Sequence, residues 1–181
     1  MSNFKEICLN STITNPYTIL LDLMHQPEIP MHGPVHHILD GAALMTAIHN
    51  TGTPFNLKTA LDELEVRGLL MPGGTCGKWG ICGSASSVGA ALAIINGTGP
   101  LTNSEYYNDN LKLTSRVLSK IAELGGPRCC KRNAFTALNI SVDFVQERYG
   151  ILLEKQKIEC NFSNQNRECI KELCPYHKLS L

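Results

Sequence analysis

Apolar residues recur every three or four positions in stretch after stretch of this chain, and most of these stretches run into glycine or proline, which restricts it to a helical fold. Asn15-Pro16 opens a short segment through Leu23 that Pro27 and Pro30 break. A longer helix is expected from Pro34 to about Asn50, carrying Val35, Ile38, Leu39, Ala42, Met45 and Ile48. A third runs from Asn56 to Arg67 with Gly68 as its stop, and a fourth, rich in small residues, from Ser84 to Ile95 before Asn96-Gly97. Leu111, Thr114, Val117, Leu118, Ile121 and Leu124 mark a fifth, closed by Gly125-Gly126; Phe135, Leu138, Val142, Val145 and Tyr149 mark a sixth, closed by Gly150. Strand signals are confined to a short extended piece over 151–158. The expectation is an all-α domain spanning 1–181, with a helical core over about 15–150 and an irregular tail over about 151–181. No internal repeat or linker divides it.

Eight cysteines in 181 residues are grouped rather than scattered. Cys76 and Cys82 share a glycine-rich loop, Cys129 and Cys130 are adjacent, Cys160, Cys169 and Cys174 lie near the end, and Cys8 stands apart. The chain begins Met-Ser-Asn-Phe-Lys-Glu-Ile-Cys, without the apolar stretch of a secretory signal, so a reducing, cytoplasmic setting is expected. There, clustered cysteines bind metal or perform redox chemistry more often than they staple a fold.

Lys plus Arg and Asp plus Glu are 16 each, and no basic stripe suggests a phosphate backbone, which argues against nucleic acid as a partner. No apolar run approaches the roughly 20 residues that span a bilayer. A chain of this length buries a core without disulfides.

The segment Gly125-Gly126-Pro127-Arg128-Cys129-Cys130-Lys131-Arg132 places two thiols just past a helix-start signal. Free N–H groups and the positive end of the helix dipole favour a thiolate there, and Arg128, Lys131 and Arg132 act in the same sense. Cys129 and Cys130 are therefore candidates both for metal ligation and for nucleophilic catalysis. A disulfide between neighbours strains the intervening peptide, which argues against ordinary thiol exchange.

Residues 72–83, Pro-Gly-Gly-Thr-Cys-Gly-Lys-Trp-Gly-Ile-Cys-Gly, hold five glycines and two cysteines. Glycine lets a backbone approach a cluster or cofactor closely, so Gly73, Gly74, Gly77 and Trp79, with Arg128, are candidate cofactor contacts. The loop lacks the Gly-Lys-Ser/Thr of a phosphate loop and the Gly-x-Gly-x-x-Gly of a dinucleotide fold.

The tail offers Cys160, Cys169, Cys174-Pro175 and His177 within eighteen residues. Three thiolates and an imidazole can complete a zinc site, and Cys-Pro also occurs in bacterial iron–sulfur ligation, though the spacing fits neither pattern. In His32-Gly33-Pro34-Val35-His36-His37-Ile38-Leu39-Asp40, His36 and Asp40 fall four apart on one helix face with His32 just before it, an arrangement open to metal binding or proton transfer. His36 is thereby a candidate catalytic residue as well as a ligand. His37 and His49 read as core or capping groups.

The motifs His32-Gly33-Pro34-x-His36-His37, Pro72-Gly73-Gly74-x-Cys76-Gly77-x-Trp79-Gly80-x-Cys82-Gly83, Gly125 to Arg132 and Cys169-x4-Cys174-Pro175 resemble those of a cysteine-rich family of anaerobic bacteria and methanogenic archaea, domain of unknown function 5714. The resemblance spans about His32 to His177. It implies no established reaction; fusions of some members to a methyltransferase domain imply a role near one-carbon or corrinoid chemistry. A looser similarity reaches small helical C-GCAxxG-C-C proteins, from which Cys82-Gly83-Ser84-Ala85 departs.

Three functional readings follow. In the first, an iron–sulfur protein, Cys76, Cys82, Cys129 and Cys130 meet at one centre, Cys160, Cys169 and Cys174 serve the same or a second centre, and His32 or His36 adds a ligand. Its role would be electron transfer, metal delivery or support of a methyltransferase or redox partner. The second is a partner-binding module stiffened by zinc, and the third a cysteine-thiolate enzyme. Small residues around Gly89 and Ala90 are compatible with close helix contacts within one chain or across a homo-oligomer.

Overall fold

The computed structural model describes residues 3–178. The ends of the expected domain, residues 1, 2 and 179–181, lie outside the described residues. Eight helices occur among those described: α1 (Phe4–Asn10), α2 (Pro16–Met24), α3 (His36–Asn50), α4 (Leu57–Leu70), α5 (Thr75–Lys78), α6 (Gly83–Ile95), α7 (Asp109–Leu124) and α8 (Cys130–Tyr149). Two 3-10 turns, Ser163–Gln165 and Lys171–Leu173, follow in the tail. The fold is all-α, as the periodicity requires.

Local chemistry explains the helix starts. Asn15 Oδ1 accepts from the N–H groups of Tyr17 (3.0 Å) and Thr18 (3.4 Å), while Pro16 begins α2. Asn56 Oδ1 accepts from Thr59 N–H at 2.9 Å and caps α4. Side-chain oxygens in this position satisfy donors that a helix leaves free. At α8 the cap is a thiol: Cys129 Sγ accepts from Arg132 N–H at 3.4 Å.

Helices α3 and α6 form the centre, with α2 and α4 against α3, and α7 and α8 against α6. The small residues of α6 permit this. Ser87 Oγ accepts from the Gly41 N–H of α3 at 2.8 Å, and a Cβ on Gly41 would stand 2.5 Å from the Ser87 carbonyl oxygen. Gly89 faces Thr114 of α7 within the same chain, which gives its close contact an intramolecular partner.

Three expectations are corrected. Helix α1 lies before the expected core and joins it through Phe4 and Cys8; its about two turns leave too short a periodic pattern to read. Gly68 sits inside α4 rather than ending it, since α4 crosses α3 there and a Cβ would stand 2.4 Å from Ile38 Cγ1. Residues 151–158 form no strand; the sole bridge among the described residues joins Cys160 to His177.

The tail is bound to the helices by specific contacts. Tyr17 donates its hydroxyl to Glu159 O at 2.9 Å, and Tyr176 and Thr136 hydroxyls pair at 3.0 Å. Phe135 of α8 meets the rings of both Tyr17 and Tyr176 edge-on. These contacts set the late cysteines against the start of α8.

Candidate metal centre

Cys129, Cys160, Cys169 and Cys174 line one small pocket between the start of α8 and the tail, together with Asn166 and Tyr176; Cys129 is buried and the other three are half-buried. Three of the sulfurs accept main-chain N–H groups at 3.4 Å: Cys129 from Arg132, Cys160 from Phe162 and Cys169 from Lys171. Lys171 adopts a φ of 48°, in the left-handed region, so the chain bends unusually where its N–H meets Cys169. Asn166 adds a donor to Cys129 Sγ at 3.5 Å. Such bonds stabilise sulfur that carries negative charge and tune the potential of a metal bound to it.

The four-cysteine division differs from the expected one. Cys129 joins Cys160, Cys169 and Cys174, whereas Cys130 turns to a second cavity that it shares with Cys76 and Cys82. The reason is helical geometry: Cys129 is the cap of α8 and Cys130 its first residue, and their side chains leave the helix end in different directions. His36, His37, Gly73, Gly74 and Arg128 also border the second cavity. Gly77 and Trp79 do not, and Trp79 is 64 % exposed. Cys8 is buried among the core residues.

Between the two groups lies His32. The Cys130 N–H donates to His32 Nδ1 at 3.4 Å, which makes Nε2 the protonated nitrogen; it donates to Asn166 Oδ1 at 3.1 Å and reaches Glu168 Oε2 at 3.3 Å. Both ring nitrogens are thus engaged by protein groups, and His32 acts as a connector rather than a free ligand. Lys131 is also placed between the groups. Its side chain is almost fully buried, with the ammonium 3.4 Å from Pro30 O and 4.7 Å from the centre of the Phe162 ring.

The electrostatics reverse the expected thiol acidity. Burial raises the pKa of Cys82, Cys129 and Cys160 and pushes Cys130 up to about 11, outweighing the N–H groups and cations that favour the thiolate. Burial also lowers Lys131 to about 8, against the pull of Asp40 and the neighbouring cysteines. These thiols are poor free nucleophiles, while a bound metal cation would invert their preference. The donor set of the tail chamber, four thiols with N–H donors already aimed at three of them, fits a thiolate-ligated metal group. Among the described residues no three His, Cys, Asp or Glu side chains stand close enough together to hold a single ion. The sulfurs of a polynuclear cluster stand farther apart than those around one ion.

Several residues at these sites carry no cysteine signal. Asn133 donates Nδ2 to Cys82 Sγ at 3.3 Å, and its place one helical turn after Cys130 is the clue that sequence offers. Asn166 falls between Cys160 and Cys169. Asp40 shares a face with His36, as expected, and is fully buried.

No helix among the described residues is long and apolar enough to cross a membrane. No curated protein and no solved structure matches the chain. The model of one family matches residues 4–177, from α1 through the last tail contact and across both thiol groups; the chain belongs to the family of unknown function DUF5714.

Proposed function

We propose that this is an iron–sulfur protein whose cluster is held by Cys129, Cys160, Cys169 and Cys174, and whose work is electron transfer or metal delivery to a redox or methyltransferase partner. One observation carries the reading: four thiols line a single pocket, and three of them accept a main-chain N–H. Hydrogen bonds to ligating thiolates are what such a cluster needs for charge stabilisation. A cytoplasmic setting keeps the thiols reduced until the cluster assembles. Leu173, 83 % exposed between Cys169 and Cys174, gives a partner an apolar contact beside the centre.

The same four thiols suit structural zinc, which favours four cysteine ligands in closed sites. The two readings separate on purification without oxygen, followed by assay of iron, zinc and acid-labile sulfide and by visible spectroscopy. Iron with sulfide and a visible band that bleaches on reduction is the expected result. Zinc without sulfide would overturn the cluster and leave a partner-binding helical module stiffened by its tail.

A further inference from the structure

The cavity that Cys76, Cys82 and Cys130 border has a volume of about 370 Å³, within the range of small-molecule sites. Among the described residues no three His, Cys, Asp or Glu side chains stand close enough to hold an ion, so charge and unmatched polar atoms define what the cavity can take. Burial raises the pKa of Cys82 and pushes Cys130 up to about 11, so these two thiols add no negative charge to the wall. No Asp or Glu lines it, whereas Lys78 and Arg128 do. Both cations are exposed, and neither joins an ion pair among the described residues. In a chain of zero net charge this is a local excess of positive charge. Helix α6 adds to it: its thirteen residues begin at the wall, through Gly83 and Ser84, with no hydrogen bond from the cap side chain, so the positive end of its dipole meets the cavity.

Two buried side chains of the wall ask for something besides negative charge. His36 and Asn133 line the cavity at 1 % and 5 % exposure, and each keeps one polar atom without a partner. His36 Nε2 lies 3.2 Å from the Pro30 carbonyl oxygen, which can only accept, so the proton is on Nε2 and Nδ1 presents a bare lone pair. Burial lowers the pKa of this ring to about 3, so Nδ1 remains an acceptor at neutral pH. Asn133 commits its amino group to Cys82 and is left with an unpaired Oδ1. Buried polar groups are rarely left this way. Both atoms accept, so an occupant that matches them brings hydrogen-bond donors.

We propose that this cavity binds a small organic phosphate that carries hydroxyl groups. The phosphate takes the Arg128 guanidinium, the Lys78 ammonium and the leading N–H groups of α6, and the hydroxyls donate to His36 Nδ1 and Asn133 Oδ1. Two cations balance the charge of a phosphate monoester, which is close to two negative charges at neutral pH. A guanidinium presents its N–H groups in a fork that suits phosphate oxygens, and an ammonium serves as a point charge beside it. The arrangement is not a phosphate loop, because its donors come from α5, from the turn before α8 and from the start of α6. The inference does not rest on a cluster at the tail cysteines.

The test is calorimetric titration of the full-length protein, purified under nitrogen, with glycerol phosphate, glucose phosphate and inorganic phosphate as probes. At least one of the two esters is expected to bind saturably, and more tightly than inorganic phosphate. Arg128→Gln and Lys78→Gln, both at exposed positions that the fold does not need, are each expected to weaken that binding about 10-fold or more, and the double variant to abolish it. Lys120→Gln, an exposed cation outside the cavity, is expected to leave it unchanged. Asn133→Ala is expected to reduce the preference for the ester over inorganic phosphate; should that variant unfold by circular dichroism, the two charge variants carry the test. Absence of binding by both esters, or binding that Arg128→Gln/Lys78→Gln leaves at the wild-type level, would overturn the site. Malate, a hydroxylated dicarboxylate, checks the phosphate itself: binding as tight as that of the better ester would overturn that assignment.

Discussion

Cys129 and Cys130 share a peptide bond and face different chambers, one against Cys160, Cys169 and Cys174, the other against Cys76 and Cys82. The start of α8 therefore stands as a partition between two thiol groups. The backbone of one cysteine also touches the environment of the other: Cys130 N–H donates to His32, His32 donates to Asn166, and Asn166 donates to Cys129 Sγ. One peptide bond and one hydrogen-bonded chain thus join the two thiol groups.

That partition predicts opposite phenotypes for two neighbouring substitutions. Cys129→Ser is expected to strip iron and sulfide from the tail centre, while Cys130→Ser leaves both near the wild-type level and affects only the cavity. Iron and sulfide per chain, measured on anaerobically purified protein, decide it. Equal iron loss in both variants would restore a single shared centre.

The α3–α4 crossing yields a stability prediction in which two effects compete. Alanine is a better helix former than glycine by about 1 kcal/mol, which alone would make Gly68→Ala stabilising. A Cβ there would meet Ile38 Cγ1 at 2.4 Å and His37 O at 3.1 Å, and overpacking of a core costs about 1–3 kcal/mol. The clash is expected to win, lowering the Tm. Gly77→Ala in α5, with nothing within 4 Å of the new methyl, serves as the control and is expected to hold or slightly raise the Tm.

Gly68 also shows where sequence reading ends. A glycine after an amphipathic run normally signals a stop, and only the approach of α3 reveals that this one marks a crossing. The helices from Pro16 to Tyr149 are legible because their apolar spacing and caps are local, except for α5, a single turn over Thr75–Lys78 inside what reads as a glycine-rich loop. The grouping of cysteines into thiol clusters was legible too, but not their partition, because which side of α8 a thiol faces depends on the tail's return to α8 through Tyr176 and Phe135. Thiol acidity was misread for a related reason. Arg128, Lys131 and the helix start are visible in sequence, whereas the burial that outweighs them at Cys130 is a property of packing.

Asp40 gives the molecule a pH dependence with a definite sign. Burial raises its carboxyl from 3.8 to about 7, with the Ser84 hydroxyl and the Lys131 ammonium opposing, and the Cys82 and Cys130 thiols lie near it. Below the lower value the folded and unfolded chains both carry the proton. Between the two, the folded chain retains a proton that the unfolded chain has lost, so rising pH removes stability until the folded value is passed. Asp40→Asn in metal-free protein is therefore expected to be more stable than wild type at about pH 8, by on the order of a few kcal/mol relative to the difference at about pH 4. Urea unfolding at the two pH values measures this. A difference independent of pH would mean that Asp40 does not titrate with folding.

Asn166 offers the sharpest probe of the tail centre, because its amide serves both sides of the partition. Nδ2 donates to Cys129 Sγ at 3.5 Å, and Oδ1 accepts from His32 at 3.1 Å and from Glu168 N–H at 3.1 Å. A donor to a ligating sulfur favours the more negative, reduced cluster, so its removal lowers the reduction potential. Asn166→Ala is expected to lower it by on the order of 50 mV, the one-electron equivalent of about 1 kcal/mol. Iron content should stay near that of wild type, since all four thiols remain. Redox titration of the visible band, with iron assayed in parallel, separates the outcomes. An unchanged potential at full iron occupancy would remove Asn166 from the tuning of the centre, and the bond from His32 would then hold the tail in place without acting on its chemistry.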